Sequence, residues 1–274
     1  IVVGVNYYKL SAEEVEPQYP ASIQTVPGYH FTGDTIPVTN EMVNYVLNTD
    51  TFKGYEFRYG YPVVGESLVV RENARTIRLF YGPQARTVTV TYHDDKGAEL
   101  QEAFTRNTTY GSSYDVGDQI FGTLDVEGHH YIKESVTGEV SGTVTSNVTV
   151  DVMYTLDDEG NGGPDDIPDK YQVRFEYKSE DSAKLVLSGT LVEWQTFPKK
   201  GDEYDTTEKL YPSVDVTKKE LGGYHFAEWT DENGEAFESD AALQNTGYTT
   251  SMTFIAKAAE NEGVTINYSS EDPA

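Results

Sequence analysis

The sequence predicts an α+β fold that is rich in β-strand and built from repeated modules. Three observations support this prediction. Tyr and Gly are abundant, with 21 and 24 residues, and Thr and Val are frequent, which favours strands and turns over helix. A strand signature recurs along the 274 residues. Between its copies, each interval offers only one short segment with the pattern of a helix.

The recurring signature alternates apolar with small or polar residues and ends on tyrosine, as expected of a strand with one face on a core. Its four copies occupy residues 3–7, 88–92, 173–177 and 264–268. The intervals between their final tyrosines are 85, 85 and 91 residues, counted from Tyr7 to Tyr92, Tyr177 and Tyr268. A near-constant period of this kind indicates an internal repeat, in which each copy opens one module.

A second landmark falls in the later half of each of the first three repeats. A glycine that suits a turn is followed by aromatic residues that begin another strand, at residues 54–57, 128–131 and 223–226. Beyond it an alternating apolar stretch closes the module, at Ile77, Leu79 and Tyr81, at Val148, Val150, Val152 and Tyr154, and at Met252, Phe254 and Ala256. Each module is therefore expected to begin and end on strands.

The helical candidates lie between these landmarks. Thr39 is a candidate N-cap for a segment that carries Met42, Val43, Val46 and Leu47. In the third repeat Asp205 and Glu208 form a capping-box pattern before Leu210, and residues 114–118 match that segment in the second. A hairpin, a crossover with one short helix, and further strands predict tandem β-grasp (ubiquitin-like) modules arranged end to end. The strand order within each sheet stays open.

Two of the repeats resemble repeats of Gram-positive surface proteins. The second carries VTVTYHDDKGAEL, YDVGDQI and GHHYIKESVTGEVSGTVTSNVTVDVMY, and it resembles the mucin-binding-protein repeat. The third carries GGYHFAEWTDENGEAF and MTFIAKA, and it resembles the Listeria-Bacteroides repeat. The first repeat lacks the Asp-x-x-Gly turn after its opening strand, so its assignment depends mainly on the period.

The period and the resemblance divide the chain into five parts. These are a divergent β-grasp-like repeat at 1–84, a mucin-binding-protein-like repeat at 85–156, an acidic linker at 157–169, a Listeria-Bacteroides-like repeat at 170–259, and the start of a further repeat or a tail at 260–274. The resemblance implies an extracellular protein attached to the cell wall of a Gram-positive bacterium, with modules that extend or adhere.

The charge of the chain excludes two classes of partner. The formal net charge is -26, from 46 acidic and 20 basic residues, and there is no basic patch for nucleic acid or for direct contact with an anionic membrane. Cysteine is absent, which removes disulfides and thiolate chemistry. No stretch approaches the length of a membrane span, and the start at Ile1 predicts an internal fragment of a longer protein.

The sequence predicts a protein that is not an enzyme. It contains no G-x-S-x-G, S-x-x-K or H-E-x-x-H pattern. His129 and His130 are adjacent on a predicted strand, where side chains point to opposite faces, so a structural role is favoured over a shared metal ion. Trp194 and Trp229 either pack in cores or stack on sugar rings, and core packing is favoured.

We therefore expect a monomeric, non-catalytic repeat region that acts as an adhesin or stalk. The alternative is a glycan- or mucin-binding module. Host glycan, mucin or another extracellular protein would be the partner in an adhesive role. An exposed aromatic patch would distinguish the two, because a spacer needs none and a binding module does.

The acidic linker is the strongest candidate site, and the predicted ligand is calcium. Residues 157–169 resemble the short calcium loops of bacterial surface proteins, and Asp157, Glu159 and Asn161 stand at positions 1, 3 and 5 of an EF-hand-type loop. Position 12, which normally supplies a bidentate Glu, is a proline. Asp165, Asp166 or Asp169 supplies that charge if the loop departs from the EF-hand form. The competing interpretation is a solvated, flexible acidic linker.

Overall fold

The structure is a computed structural model that describes residues 1–160 and 163–263. Strands dominate, so the prediction of a β-rich α+β protein is confirmed. The chain divides into two compact units. The first contains Ile1–Gly122 and Glu134–Tyr154, and the second contains Thr123–Lys133 and the described residues from Thr155 onward. No helix in the described part of the chain has the length and apolar character needed to cross a membrane.

The first repeat has six strands and one α-helix. They are β1 (Gly4–Lys9), β2 (Ser22–Thr25), β3 (Thr35–Pro37), α1 (Asn40–Asn44), β4 (Tyr55–Tyr61), β5 (Ser67–Val69) and β6 (Thr76–Pro83). Four strands form a sheet in the order β2-β1-β6-β4, and β3 pairs with β5 in a separate ribbon. Strand β1 is antiparallel to β2 and parallel to β6.

The second repeat has seven strands. They are β7 (Ala85–Asp94), β8 (Glu99–Thr109), β9 (Ser113–Asp115), β10 (Thr123–Val126), β11 (His129–Thr137), β12 (Ser141–Thr143) and β13 (Val148–Leu156). The main sheet has the order β10-β11-β13-β7-β8, and β9 pairs with β12. Strand β7 is antiparallel to β8 and parallel to β13, so its connectivity follows that of the first repeat.

The third repeat has nine strands and one α-helix. They are β14 (Gln172–Ser179), β15 (Leu185–Gly189), β16 (Val192–Thr196), β17 (Lys199–Lys200), β18 (Glu203–Tyr204), β19 (Val216–Glu220), β20 (Tyr224–Thr230), β21 (Ala236–Phe237), α2 (Asp240–Gln244) and β22 (Met252–Glu260). The main sheet has the order β16-β14-β22-β20-β21, again with the opening and closing strands parallel.

The cores explain the repeating sequence pattern. In each repeat the opening and closing strands bury alternate residues against the same core, and the residues paired across them are Val5 with Ile77, Val90 with Val150, and Tyr177 with Phe254. Burial of these side chains removes apolar surface from water and stabilises each sheet. The predicted opening and closing strands of the three repeats are therefore confirmed. The fourth copy of the signature, at 264–268, lies outside the described residues.

The helix prediction is right in the first repeat and wrong in the others. Helix α1 begins as predicted, because the Thr39 hydroxyl accepts a hydrogen bond from the Met42 backbone N–H. At the matching place in the second repeat the chain forms only a 3-10 turn, Gly117–Gln119. In the third, the Asp205 carboxylate accepts bonds from both the backbone and the hydroxyl of Thr207, which closes a turn instead of a helix.

Candidate functional site

Asp157, the first residue of the acidic linker, organises the loop that follows β13. It is fully buried, and its backbone N–H donates to His130 O at 2.8 Å. Its carboxylate accepts hydrogen bonds from the backbone N–H groups of Asp165 at 3.2 Å and Asp166 at 2.9 Å. A buried carboxylate needs such donors. Asp157 therefore holds the two ends of the loop together through its own side chain.

Other carboxylates of the predicted calcium site also accept hydrogen bonds from this segment and from Gln172 just beyond it. Asp165 Oδ1 accepts from the backbone N–H of Ile167 at 3.1 Å and from Gln172 Nε2 at 2.7 Å. Asp169 Oδ1 accepts from the backbone N–H of Glu159 at 3.0 Å. Burial raises the pKa of Asp169, although this hydrogen bond acts in the opposite direction. Asn161 lies outside the described residues.

Two features of this loop suit a hard cation. Gly160 has no side chain, and two oxygens lie close to the space that a Cβ would fill there. The Gly163 carbonyl oxygen is 2.7 Å and Asp165 Oδ2 is 2.8 Å from that position. The amide oxygen Oε1 of Gln172 is buried and has no hydrogen-bond partner among the described residues, although Nε2 of the same amide contacts Asp165. Within residues 1–160 and 163–263, however, no three His, Asp or Glu side chains are placed to hold a metal. Calcium at this segment stays a prediction.

The residue between two predicted ligands, Asp158, connects the linker to the β10–β11 hairpin. Its Oδ1 accepts from the His130 backbone N–H at 2.6 Å, and its Oδ2 pairs with His129 Nδ1. The hydrogen bond to Asp158 raises the pKa of His129. Burial opposes ionisation of Asp158, but the hydrogen bonds from His129 and His130 outweigh it and lower the pKa of the carboxyl.

Three further histidines have side-chain partners, whereas the buried Nε2 of His30 has none among the described residues. His130 Nδ1 pairs with Asp125 Oδ1 at 2.6 Å, and His225, at the matching place in the third repeat, pairs with Asn261 at 2.9 Å. His93 pairs with Asp151 at 2.7 Å. A carboxylate or amide thus lies beside the rings of His93, His130 and His225 and orients them.

The two tryptophans differ in exposure. Trp229 is fully buried, and its Nε1–H donates to Asp240 Oδ1 at 2.7 Å. Lys218 Nζ lies 2.6 Å from both oxygens of Asp240 and stacks over the Trp229 ring at 5.3 Å. Trp194 is partly exposed on β16. The prediction of a core role is therefore confirmed for Trp229.

A joint between the first and second repeats lies entirely within the first compact unit. Only Gln84 separates β6 from β7, and its backbone N–H donates to Gly54 O at 2.8 Å while its carbonyl accepts from Tyr110 N at 2.9 Å. Gly54 has φ 77°, and a Cβ there would overlap the Tyr110 ring. The two repeats are thus connected by backbone hydrogen bonds and by an aromatic ring packed directly on a glycine.

The sequence identified Gly54 as a turn residue, but it did not identify its partners Gln84 and Tyr110. These contacts cross from one repeat to the next, so the repeat period carries no signal for them. The shortness of the connection was the available clue, because one residue between two strands leaves little freedom for the modules to reorient. Gln172 was also missed, since it falls just beyond the acidic run.

Comparisons with solved structures include matches to repeats of surface proteins. A type 2 repeat of the mucus binding protein MUB from Lactobacillus reuteri matches with 17% identity and a TM-score of 0.20, over 57% of this chain and 100% of that one. Streptococcal High Identity Repeats in Tandem (SHIRT) domains 3-4 from a cell surface protein match with 13% identity and a TM-score of 0.24, over 56% and 98%.

The third match, Mub-RV, has 15% identity and a TM-score of 0.20, over 57% of this chain and 98% of that one. The matched structures are of the kind that the sequence resemblance indicates. No protein-family model matches the chain, and no curated protein matches it. Because TM-scores this low carry no argument about function, the proposals below depend on the residues of this chain.

Proposed function

We propose that this chain is a non-catalytic, extracellular repeat region of a bacterial cell-surface protein, in which β-grasp modules arranged end to end act as a stalk or adhesin. The main sheets of the first and third repeats support the β-grasp part. Each has an antiparallel partner of the opening strand at one edge, β2 or β16, then the opening strand, then the closing strand parallel to it, and then an antiparallel strand, β4 or β20.

The joint at Gln84 is the observation that carries the stalk proposal. A stalk transmits force or holds a distal module away from the surface, so its modules must resist reorientation. The hydrogen bonds of Gln84 with Gly54 and Tyr110 join the last strand of one repeat to the first strand of the next. Bending the joint would break both bonds and separate the Tyr110 ring from Gly54, so the two repeats are expected to move together.

Pulsed electron spin resonance can test the rigidity of this joint, because the chain has no native cysteine to compete for the labels. We would label Glu72→Cys in the first repeat and Glu102→Cys in the second, both of which are exposed. A single narrow distance distribution is expected, and adding Tyr110→Ala should broaden it. A distribution that is already broad with Tyr110 present would contradict the stalk proposal.

Binding of a host glycan or mucin is the second candidate function, and three exposed aromatic side chains in the first repeat favour it. Tyr19, Tyr29 and Phe31 are 73%, 86% and 75% exposed. Aromatic rings on a surface are suited to stacking on sugars. A glycan and mucin array probed with the full chain and with a Tyr29→Ala, Phe31→Ala variant tests this. Saturable binding that the variant loses is expected if the chain is a lectin. Equal signals from both proteins would exclude Tyr29 and Phe31 as the site.

Calcium binding by the acidic linker is a separate proposal, supported by the Gly163 carbonyl oxygen and Asp165 Oδ2 beside Gly160 and by the unpartnered Gln172 Oε1. Calorimetric titration of the chelator-treated chain should show one saturable uptake. The variant Glu159→Gln, Asp165→Asn removes two charges there, and the control Asp202→Asn, Glu203→Gln removes two exposed charges elsewhere. We expect affinity to fall at least about tenfold in the first and to stay unchanged in the control. No saturable uptake, or equal uptake by both variants, would leave a solvated linker.

A further inference from the structure

An open groove lies between the edge strand β2 and helix α1 in the first repeat. Its volume is about 480 Å³, and its walls include Val26, Ile36, Met42 and Tyr45, with the Gln24 side chain at one side. Strand β2 has a sheet neighbour on one side only. Tyr45 is 54% exposed although its ring stacks on Tyr7 at 5.8 Å. An edge strand beside an apolar groove is the arrangement that binds extended peptides.

The third repeat shows what occupies the equivalent place there. Strand β16 pairs with β14 as β2 pairs with β1, and the register places Glu193 opposite Phe175 where Gln24 stands opposite Val5. Residues 211–214 lie along β16. Gln195 Nε2 donates to Tyr211 O at 2.7 Å, and the Glu193 carboxylate accepts from the Ser213 backbone N–H at 2.7 Å.

Within residues 211–214, Val214 is the side chain that packs into the apolar core. It is only 6% exposed and belongs to the core of the third repeat, and its backbone N–H donates to the Tyr177 hydroxyl at 3.1 Å. Tyr177 and Tyr7 are the final tyrosines of their signatures. The Tyr7 hydroxyl donates to Gln24 Oε1 at 2.7 Å, just as the Tyr177 hydroxyl donates to Glu193 at 3.3 Å. The first repeat thus keeps the bonded pair of a tyrosine hydroxyl and a β-strand side chain, with Val26 in place of Gln195, while its groove is open.

The charge of the chain indicates which peptide would bind. No Lys or Arg lines the groove, Glu41 lies on its wall, and the whole chain carries a net charge of -26. A second copy of the chain would bring the same large negative charge, and like charges oppose association. A cationic segment of another protein would instead be attracted.

We propose that the groove between β2 and α1 binds an extended, cationic peptide segment of a partner protein, with an aliphatic side chain seated as Val214 is in the third repeat. The amide NH₂ of Gln24 is positioned to donate to a peptide carbonyl. This inference goes beyond the stalk function, since the groove is remote in sequence from Gln84 and Tyr110 and its occupancy does not depend on the rigidity of the joint.

The experiment is an NMR titration of the isotope-labelled full chain with a blocked peptide, Lys-Tyr-Pro-Ser-Val-Lys, which carries the sequence of residues 211–214 between lysine flanks. We expect saturable shifts confined to the groove, including the Gln24 side-chain NH₂. A peptide with glutamate flanks should bind at least about tenfold more weakly, and added salt should reduce the difference.

Tyr45→Ala is the test variant, and Tyr61→Ala is its matched control, because Tyr61 is 50% exposed in the same repeat and does not line the groove. Tyr45→Ala should weaken the lysine-flanked peptide about tenfold, and Tyr61→Ala should leave its affinity unchanged. Absence of shifts, equal effects of the two variants, or equal affinity for both peptides would overturn the proposal. Sedimentation that shows a dimer lost in Tyr45→Ala would also overturn it in favour of a second copy.

Discussion

Replacing Gly54 with alanine should weaken the joint between the first two repeats by more than the backbone conformation alone would explain. Gly54 has φ 77°, where an L-residue is disfavoured by about 1 kcal/mol. The added Cβ would also overlap the Tyr110 ring, which must move away. Overpacking of this kind typically costs about 1 to 3 kcal/mol. The sum for Gly54→Ala is therefore about 2 to 4 kcal/mol of local stability.

The third repeat contains a matched control for the backbone contribution. Gly223 has φ 86°, and no described atom lies within 4 Å of a Cβ placed on it. Gly223 O accepts from Asn261 N at 2.8 Å, as Gly54 O accepts from Gln84 N at 2.8 Å. Gly223→Ala should therefore cost only the backbone strain, about 1 kcal/mol.

Native-state hydrogen exchange reads these local free energies directly, because the Gln84 and Asn261 amides report on the two glycine carbonyls. Protection of Gln84 should fall at least about thirtyfold in Gly54→Ala, and that of Asn261 about fivefold in Gly223→Ala. Adding Tyr110→Ala to Gly54→Ala should remove the overlap and leave a smaller loss than the two single losses added together. Equal losses at Gln84 and Asn261 would refute the claim that the Tyr110 ring closes the joint.

Three further outcomes follow from other contacts. Because the pKa of His129 is raised, its pair with Asp158 stabilises the fold below the ordinary histidine pKa, and this stabilisation is lost as pH rises through the raised value. Because the pKa of Asp158 is lowered, the same stabilisation is also lost as pH falls through that lowered value. Denaturant unfolding should show both losses of stability, and His129→Gln should abolish the one at higher pH. Thr39→Ala should destabilise the first repeat by about 1 kcal/mol in thermal unfolding, and no change would contradict its capping role. Asp240→Ala should leave the buried Trp229 N–H without its acceptor and cost about 1 to 3 kcal/mol, measured by denaturant titration of tryptophan fluorescence; unchanged stability would mean that water replaces the carboxylate.

The sequence predicts the strands best where every second residue faces a core. The alternation that ends in Tyr7, Tyr92 and Tyr177 predicts the opening strands correctly, because a strand with one buried face has only one way to place those side chains. The helix predicted after Asp205 is wrong for a local reason. Its carboxylate can cap a helix or close a turn, and here its bonds with the backbone N–H and the hydroxyl of Thr207 close the turn.

The candidate sites were less predictable, because they depend on contacts between segments that are distant in sequence. The acidic character of residues 157–169 was evident from composition. The inward orientation of Asp157 was not predictable, because an aspartate can either bind a cation or accept hydrogen bonds from backbone N–H groups, as Asp157 does. The groove beside β2 also has no sequence motif. The lining residues come together only in the fold, and the comparison of the β16 and β2 registers then relates the groove to residues 211–214.

The segments that follow the two closing strands β6 and β13 should respond differently to solution conditions. The contacts after β6 involve Gly54, Gln84 and Tyr110, whose side chains carry no charge, so pH and salt have little to act on there. The backbone N–H of Asp157, after β13, donates to His130 O beside several carboxylates, whose repulsion depends on protonation and on cations. Exchange protection of the Asp157 amide should therefore vary with pH, salt and Ca²⁺ while that of Gln84 stays constant. A parallel change at the Asp157 and Gln84 amides would mean that the two segments open in one reaction. The difference in charge between the segments would then not control their opening.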